Sequence, residues 1–288
     1  MNVGNLLPQI TARLPGDTPA LDAQVVLAHV LERPRSWLMA HPELDLSAPQ
    51  LDSVEAAVSR LEAGEPLPYV ISHWEFYGLD FTVTPDVLIP RPETELLVEK
   101  AIAWLNAAPE RRTVADVGTG SGAIGVTLAM HVPDVYVLAT DISMPALRVA
   151  LGNARKFRVA ERMDFVECDL LPPHHEFLPT DLHFDLVCAN LPYIPSESLK
   201  ELPIFGAEPT LALDGGVDGL DLVRRLLEIV PEWLAPGGRI MLEIEAGQGS
   251  QALSLAYDRF SEAEIHLHRD LSGRDRLLEI TLAQPTIP

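Results

Sequence analysis

Cysteine, positive charge and long apolar runs are all scarce in this chain. Two cysteines occur among its 288 residues. Cys168 and Cys188 each lie in or beside an apparent strand, and neither belongs to a CxxC motif or to a cluster with histidines. We therefore expect two reduced thiols in a cytosolic fold rather than a disulfide framework. No run of about 18 apolar residues is present, so no transmembrane helix is expected.

Basic residues are outnumbered by acidic ones. Lysine and arginine number 21 against 42 aspartates and glutamates, which gives a formal net charge of -21. Such a surface repels phosphate backbones, so the charge disfavours nucleic acid as the direct substrate. The densest basic group, Arg155, Lys156 and Arg158, falls in a predicted helix and indicates a solvated face. Residues 1–14 lack a basic start and a long apolar stretch, so we expect no signal peptide and a cytoplasmic protein.

The first third of the sequence has the spacing of helices. Apolar residues recur at helical intervals in residues 20–31 and 50–61, and Gly64 follows as a stop signal. The pattern predicts a helical domain over residues 1–65, which is below the usual size of an independent domain. The chain length leaves room for one larger domain beside it.

Residues 66–92 differ in composition, being rich in aromatic and β-branched side chains. Gly78 and Pro85 interrupt these apolar residues. The segment is therefore predicted to be a strand-rich linker that contains a hairpin. Pro92 and Glu93 open a predicted helix, because proline and acidic residues suit a first helical turn. We assign residues 93–288 to the largest domain.

After residue 112, predicted strands and helices alternate. The strands cover residues 113–117, 135–140, 163–167, 184–189, 239–244, 264–268 and 276–281. The helices cover residues 122–131, 145–157, 220–234 and 248–260, and Pro236-Gly237-Gly238 is expected to end the third of them. This alternation predicts an α/β fold with a doubly wound sheet.

A glycine-rich loop joins the first of these strands to its helix. Its residues are Gly118, Thr119, Gly120, Ser121 and Gly122. Alternating glycines let the backbone turn sharply and let a ligand approach, since no Cβ stands in the way. Gly118, Gly120 and Ala123 also fit the dinucleotide fingerprint, and Asp141 is the acidic residue expected about 20 positions later. A nicotinamide-dependent oxidoreductase therefore stays open as an alternative.

Three aspartates lie at the carboxyl ends of successive predicted strands. Asp116 precedes the glycine loop, where its carboxylate is placed to accept from a cationic methionine amino group. Asp141 is placed to accept from both hydroxyls of a ribose, and Asp169 with Leu170 to hold an adenine ring. Ligands of open α/β sheets bind at these strand ends. Carboxylates favour a sulfonium ligand, so the acids predict S-adenosylmethionine as the cofactor.

The fourth strand leads into a motif that carries chemistry. Its residues are Asn190, Leu191, Pro192 and Tyr193. Asn/Asp-Pro-Pro-Tyr/Phe at this place is the signature of methyltransferases that act on planar amino or amide nitrogens. The Asn190 side-chain oxygen and the Leu191 carbonyl would accept the two N–H groups, and Tyr193 would stack on the planar group. This scheme needs neither a metal nor a covalent nucleophile.

Several further segments resemble one family, the HemK/PrmC protein-glutamine N5-methyltransferases. The most distinctive is residues 89–95, Ile-Pro-Arg-Pro-Glu-Thr-Glu. The other matching segments are residues 68–70, 74–78, 214–216, 218–220, 242–244, 248–249 and 270–276. Two positions depart from the family pattern: Leu191 replaces the first proline of the signature, and Ser72 replaces a linker glycine. We expect Leu191→Pro to be tolerated, because proline would stiffen the loop and keep the carbonyl.

The resemblance implies a helical N-terminal domain that recognises class 1 peptide chain release factors. It also implies a Rossmann-like class I catalytic domain with seven strands, the last of them antiparallel. The implied substrate is the glutamine of the Gly-Gly-Gln motif. Residues 118–122, Asp141, Leu170 and Asn190 would contact the cofactor, and residues 190–193 the glutamine.

Three other functions were weighed against this one. A DNA or RNA base-amino methyltransferase shares the Asn-x-Pro-Tyr chemistry, but the acidic charge speaks against it. The second is the nicotinamide-dependent oxidoreductase, and the third is a binding module without activity. No metal site is expected, since His266 and His268 share a strand face without a third ligand nearby. His174 and His175 are expected in a solvated loop.

Overall fold

The computed structural model describes residues 1–172 and 182–283, so His174 and His175 lie outside the described residues. The chain divides into two compact units, Met1–His73 and Trp74–Pro288. The domain boundaries predicted after residues 65 and 92 stay predictions. No helix among the described residues has the length and apolar character needed to span a bilayer.

The first unit is helical. Its helices are α1 (Val3–Thr11), α2 (Pro19–Leu31), α3 (Arg35–Ala40), α4 (Ala48–Glu62) and α5 (Leu67–Ile71). The predicted helices at 20–31 and 50–61 are confirmed as α2 and α4. Ser47 begins α4 with a capping box, in which its backbone N–H donates to the Gln50 side chain at 2.9 Å. The core of the unit includes Val3, Ile10, Val26, Leu27, Leu38, Val54, Val58 and Val70.

A two-stranded hairpin follows, and it confirms part of the linker prediction. Its strands are β1 (His73–Phe76) and β2 (Leu79–Thr82). Tyr77 and Gly78, the two residues between them, have φ of 52° and 74°. Two consecutive positive φ angles match the right-handed twist of a hairpin. The earlier part of the linker is helical instead, because Pro68 lies in the first turn of α5, where proline fits a helix.

The second unit contains a seven-stranded mixed sheet. Its strands are β3 (Thr113–Val117), β4 (Tyr136–Asp141), β5 (Met163–Glu167), β6 (Phe184–Ala189), β7 (Leu234–Glu243), β8 (Glu264–Arg269) and β9 (Asp275–Thr281). Their order is β5-β4-β3-β6-β7-β9-β8. β9 runs antiparallel to both of its neighbours, and the pairs from β5 to β7 are parallel. The predicted sheet with an antiparallel last strand is confirmed.

Helices pack on both faces of this sheet. They are α6 (Glu95–Ala107), α7 (Ala123–His131), α8 (Met144–Lys156), α9 (Ser196–Leu199), α10 (Asp221–Ile229) and α11 (Gly249–Arg259). Short 3-10 turns cover Pro92–Thr94, Ala160–Arg162, Thr210–Ala212 and Val230–Glu232. Alternate residues of β3 and β6 enter two separate cores, one shared with α10 and α11 and the other with α6 and α7. The doubly wound architecture is confirmed.

The helix predicted over residues 220–234 is wrong at its end. α10 stops at Ile229, and β7 already begins at Leu234, so Pro236-Gly237-Gly238 lies inside the strand. Pro231 explains the early stop, because proline lacks the N–H that a continuing helix needs. The pairing of β6 with β7 shifts register across the Pro-Gly-Gly residues, which bulge from the ladder.

Candidate active site

A cavity of about 700 Å³ opens at the carboxyl ends of β3, β4 and β6. The sheet order reverses between β3 and β6, and open α/β sheets bind ligands at that point. The cavity brings together most of the predicted site residues: Gly118, Thr119, Gly120, Ser121, Asp141, Asp169, Leu170, Asn190, Leu191 and Pro192. Asp116, Gly122 and Tyr193 do not line it.

The glycine loop forms the floor of the cavity. Gly118, Gly120 and Gly122 have φ of 71°, 55° and 82°. These values lie in the left-handed region, which glycine adopts without a steric cost. A Cβ on Gly118 would stand 3.2 Å from Cδ2 of Leu191, so the loop also packs closely against the residue after Asn190.

Asp141 ties the loop to the end of β4. Its Oδ2 accepts from the Gly120 N–H and its Oδ1 from the Ser143 N–H, both at 2.9 Å. Burial raises the pKa of this carboxyl above its ordinary value. Each carboxylate oxygen can accept more than one hydrogen bond. Asp141 can therefore brace the loop and still accept from two hydroxyls of a ligand.

Asp116 lies behind the glycine loop rather than on the cavity wall. Its side chain is fully buried, and its Oδ2 accepts from the Thr119 hydroxyl at 2.6 Å and from the Gly125 N–H at 2.9 Å. Its Oδ1 has no hydrogen-bond partner among the described residues. Burial raises the pKa of this carboxyl to about 6. Asp116 fixes the loop and the start of α7, and its contact with a ligand stays a prediction.

The end of β5 supplies another wall. The Asp169 carboxylate pairs with Arg225 at 2.6 Å on the exposed rim. Leu170 has a φ of 65°, and its carbonyl accepts from the buried Thr140 hydroxyl at 2.6 Å. That bond holds the left-handed conformation and places Leu170 against the cavity.

Asn190 lies where the large cavity meets a smaller one of about 110 Å³. Its Nδ2 donates to the Thr94 hydroxyl at 2.9 Å. Among the described residues, none donates to the Asn190 side-chain oxygen, which keeps that oxygen available as an acceptor. The smaller cavity is lined by Tyr193 and shares Leu88, Arg91, Asn190, Leu191 and Pro192 with the larger one.

Leu191 has a packing role that the sequence comparison with proline did not anticipate. The side chain is 4% exposed and belongs to the core that β3 and β6 share with α10. Its contact with Gly118 couples the loop after β6 to the glycine loop. The tolerance of Leu191→Pro stays a prediction. The substitution would remove the leucine side chain and with it the contact with Gly118.

Sequence reasoning missed Glu243 and Thr94. Glu243 ends β7, is 2% exposed, and its Oε1 accepts from the Tyr193 hydroxyl at 3.4 Å. Burial raises the pKa of Glu243 to about 7 and also raises the pKa of Tyr193. Both missed residues lie in segments that carry the family resemblance, but their roles depend on tertiary contacts.

The glycine motif at residues 214–220 wraps around the backbone of the Asn190 loop. A Cβ on Gly219 would lie 2.1 Å from the Tyr193 carbonyl oxygen. That same oxygen accepts from Gln248 Nε2 at 2.9 Å, and Gln248 Nε2 also lies 3.3 Å from the Asp218 carbonyl oxygen. The close approach explains why glycine occurs in this motif.

A further buried carboxylate, that of Glu208, holds the segment before α6. Glu208 is 7% exposed and accepts from the Ile89 N–H at 3.0 Å and from Arg91 at 2.5 Å. Arg91 in turn lines both cavities. No motif in the sequence analysis included Glu208, which lies over a hundred residues from Arg91 along the chain.

No group of histidines, cysteines and acids able to hold a metal occurs in residues 1–172 and 182–283. His266 Nε2 lies 2.8 Å from a carboxylate oxygen of Glu264, and His268 Nε2 lies 2.9 Å from one of Glu279, so each histidine has a carboxylate neighbour.

The sheet order, the antiparallel last strand and the glycine loop define the Rossmann-like fold of class I S-adenosylmethionine-dependent methyltransferases. The T. Thermophilus 16S rRNA N2 G1207 methyltransferase, solved with AdoMet and guanosine, shares this fold with a TM-score of 0.51 and 16% identity. The match covers 73% of this chain and 49% of that one.

The sequence comparisons are more specific. Residues 5–71 match the PrmC N-terminal domain and residues 93–201 the Methyltransferase small domain. The release factor glutamine methyltransferase of Moorella thermoacetica is 42% identical, with 90% of each chain covered. That of Bordetella pertussis is 40% identical, covering 90% of this chain and 93% of the relative. The chain belongs to the release factor glutamine methyltransferase family.

Proposed function

We propose that this protein transfers a methyl group from S-adenosylmethionine to the side-chain amide nitrogen of a glutamine. The substrate is the Gly-Gly-Gln glutamine of class 1 peptide chain release factors. The family membership supports the substrate class. The observation that carries the mechanism is the Asn190 side chain, which lies at the junction of two cavities with its oxygen available as an acceptor.

The larger cavity suits S-adenosylmethionine. Asp141 stands at the end of β4 to accept from the ribose hydroxyls, and Leu170 offers an apolar surface to the adenine. The three left-handed glycines allow close approach of the methionine portion. The ionised Asp116 behind the loop contributes negative charge near a cationic ligand. When bound, this cofactor supplies an electrophilic methyl group on a sulfonium.

The smaller cavity suits the glutamine side chain. In this proposal the Asn190 oxygen and the Leu191 carbonyl would accept the two amide N–H groups and so orient the nitrogen toward the larger cavity. Tyr193 lines the same cavity and offers its ring to the planar amide. Such an arrangement lowers the barrier through orientation and through acceptors for the positive charge that develops on nitrogen. As the bond between the amide nitrogen and the methyl carbon forms, the bond from that carbon to sulfur breaks to leave a neutral thioether, and the nitrogen loses one proton to the solvent.

The partner and the location belong to the same proposal. The helical domain, residues 1–65, would contribute to release-factor recognition, with residues 66–92 as the linker and 93–288 as the catalytic domain. A net charge of -21 favours a protein substrate over direct nucleic-acid binding. The reaction belongs to translation termination, so we place the enzyme in the cytoplasm.

Substitution of Asn190 tests the proposed function. Asn190→Ala removes one of two acceptors, and we expect kcat to fall on the order of 100-fold while the protein stays folded. Asn190→Asp keeps an acceptor and should lose less. The measurement is label transfer from S-adenosylmethionine to a purified release factor, with melting temperature as the check on folding. An Asn190→Ala enzyme with the wild-type rate would contradict the proposal.

A further inference from the structure

Four side chains form a polar chain behind the proposed glutamine site, here called the Glu243 network: Asn190, Thr94, Glu243 and Tyr193. Asn190 Nδ2 donates to the Thr94 hydroxyl at 2.9 Å, and the Tyr193 hydroxyl donates to Glu243 at 3.4 Å. A hydrogen bond from the Thr94 hydroxyl lowers the pKa of the Glu243 carboxyl. The network thus begins and ends on the loop that would hold the substrate.

The direction of these hydrogen bonds depends on the charge of Glu243. Thr94 accepts from Asn190, so its own proton is available to the carboxylate. An ionised carboxylate only accepts, and it can receive both the Thr94 and the Tyr193 protons. A protonated carboxyl must instead donate one bond, which competes with this arrangement. The Tyr193 hydroxyl donates to Oε1 of Glu243, and the buried Oε2 has no hydrogen-bond partner among the described residues.

The surroundings of Glu243 bring the pKa of its carboxyl close to neutral pH. Burial raises the pKa of Glu243 to about 7. Arg276 on β9 lowers that pKa, and so do the hydroxyls of Thr94 and Tyr193, whereas Glu93 raises it. Arg276 itself lies 3.4 Å from Asp270. A group balanced in this way changes its charge within the pH range in which enzymes work.

We propose that Glu243, in its ionised form, is a positioning residue that fixes the Asn190 amide through Thr94 and the Tyr193 ring through its hydroxyl. This role rests on the proposed function and adds a residue to it. Glu243 does not receive the substrate proton, because Thr94 and Tyr193 stand between it and the cavities. Its effect is to keep the Asn190 oxygen, rather than its NH2 group, turned toward the glutamine.

Glu243→Gln is the first variant to measure. Glutamine has the shape of glutamate but stays neutral, so it mimics the protonated residue at every pH. We expect kcat for release-factor methylation to fall roughly tenfold or more, with affinity for S-adenosylmethionine nearly unchanged. Because activity needs the ionised form of Glu243, the kcat of the wild type should rise as the pH increases through about 7. The kcat of the variant should not show this rise.

The matched control is Glu279→Gln. Glu279 lies on the neighbouring strand β9, is 5% exposed, and pairs with Arg239 and His268 rather than with the network. This change also removes a buried carboxylate from the sheet, but we expect it to leave kcat and its rise with pH as in the wild type. Loss of activity from Glu243→Gln but not from Glu279→Gln would assign the effect to the network.

Thr94 tests the network from its other end, and does so even where a Glu243 variant fails to fold. Thr94→Ser keeps the hydroxyl and should retain activity, whereas Thr94→Val should lose about as much as Glu243→Gln. The double variant Thr94→Val/Glu243→Gln should lose little more than either single one, because both act through Asn190. Equal kcat for Thr94→Val and Thr94→Ser would contradict the proposal.

The experiments distinguish a failure of the proposed function from a failure of the positioning role of Glu243. A wild-type enzyme that leaves release factor unmodified would contradict both the proposed function and this role. An active wild type, with an equally active Glu243→Gln variant and an unchanged pH profile, would contradict the positioning role alone. Retained activity with a shifted affinity for S-adenosylmethionine would also contradict it, since that result places Glu243 at the cofactor.

Discussion

At the scale of single residues, Asp116 links the stability of the fold to the glycine loop. The carboxyl has no solvent contact, yet only one of its oxygens has hydrogen-bond partners among the described residues. Burial therefore raises its pKa from 3.8 to about 6. The folded protein keeps this proton to a higher pH than the unfolded chain does, so stability from this group is lost as pH rises from about 4 through about 6.

Asp116→Asn should remove that pH dependence. The asparagine oxygen can still accept from Thr119 and Gly125, and the side chain stays neutral. We expect the free energy of unfolding of the variant, relative to the wild type, to rise by roughly 2–3 kcal/mol between pH 4 and pH 7. Chemical denaturation across this range measures the difference, with pH 4 as the internal reference. A difference that does not change with pH would contradict this reading of Asp116.

At the scale of elements, Ser72 shows the local cost of a departure from the family pattern. Ser72 ends α5 with a φ of 63°, in the left-handed region that favours glycine. Its hydroxyl is 3.4 Å from the Tyr69 carbonyl oxygen, too far to compensate by much. The family glycine at this position thus has a conformational reason, and the serine adopts the same backbone despite its Cβ.

Ser72→Gly is therefore expected to stabilise the protein slightly. Relief of the left-handed strain is worth about 1–2 kcal/mol, and the added chain entropy of glycine offsets about 0.5–1 kcal/mol of it. The control is Ser53→Gly in the exposed middle of α4, where glycine should cost about 0.5–1 kcal/mol. Thermal melting should give changes of opposite sign. A lower melting temperature for Ser72→Gly would show that the serine side chain stabilises the turn.

Helices and strands could be predicted from the sequence where the residues that determine them lie close together along the chain. β3, β5 and β6 have the predicted bounds, because their buried apolar runs and flanking turns lie within a few residues. The end of α10 was wrong because Pro231 was read as part of the helix, and the strand that follows carries a bulge no local pattern announces. The sequence pattern does not predict α1, which Asn2 caps and which contains Pro8, a residue that disfavours a helix interior.

At the scale of the whole molecule, the sequence predicted where the site lies but not which distant residues hold the site residues in position. The cavity gathers residues at the ends of four parallel strands, β3, β4, β5 and β6, which the alternation of elements already implied. Thr94, Glu208, and the nearby pair Glu243 and Gln248 come from three distant parts of the chain, and each reaches its partner only in the folded state. A sequence motif can identify a residue as a candidate for the site. It cannot identify the hydrogen-bond partner of that residue, because the tertiary packing determines which side chains meet.

The charge of the whole molecule bears on the choice of substrate. A base-amino methyltransferase would share the Asn190 loop, but with a net charge of -21 this chain repels a phosphate backbone. A release factor presents the planar amide on a polypeptide, which has no phosphate backbone. The negative surface charge and the family membership therefore favour a protein substrate. The Asn190 loop determines the type of reaction, which is methylation of a planar nitrogen.

The most direct test of the account is to map the methyl group. The wild-type protein is incubated with labelled S-adenosylmethionine and a mixture of class 1 release factor, RNA and DNA, and the modified residue is identified by mass spectrometry. We predict one methyl group on the side-chain amide of the Gly-Gly-Gln glutamine, and none when that glutamine is changed to alanine. Label in nucleic acid, or on a different residue of the release factor, would contradict the central claim.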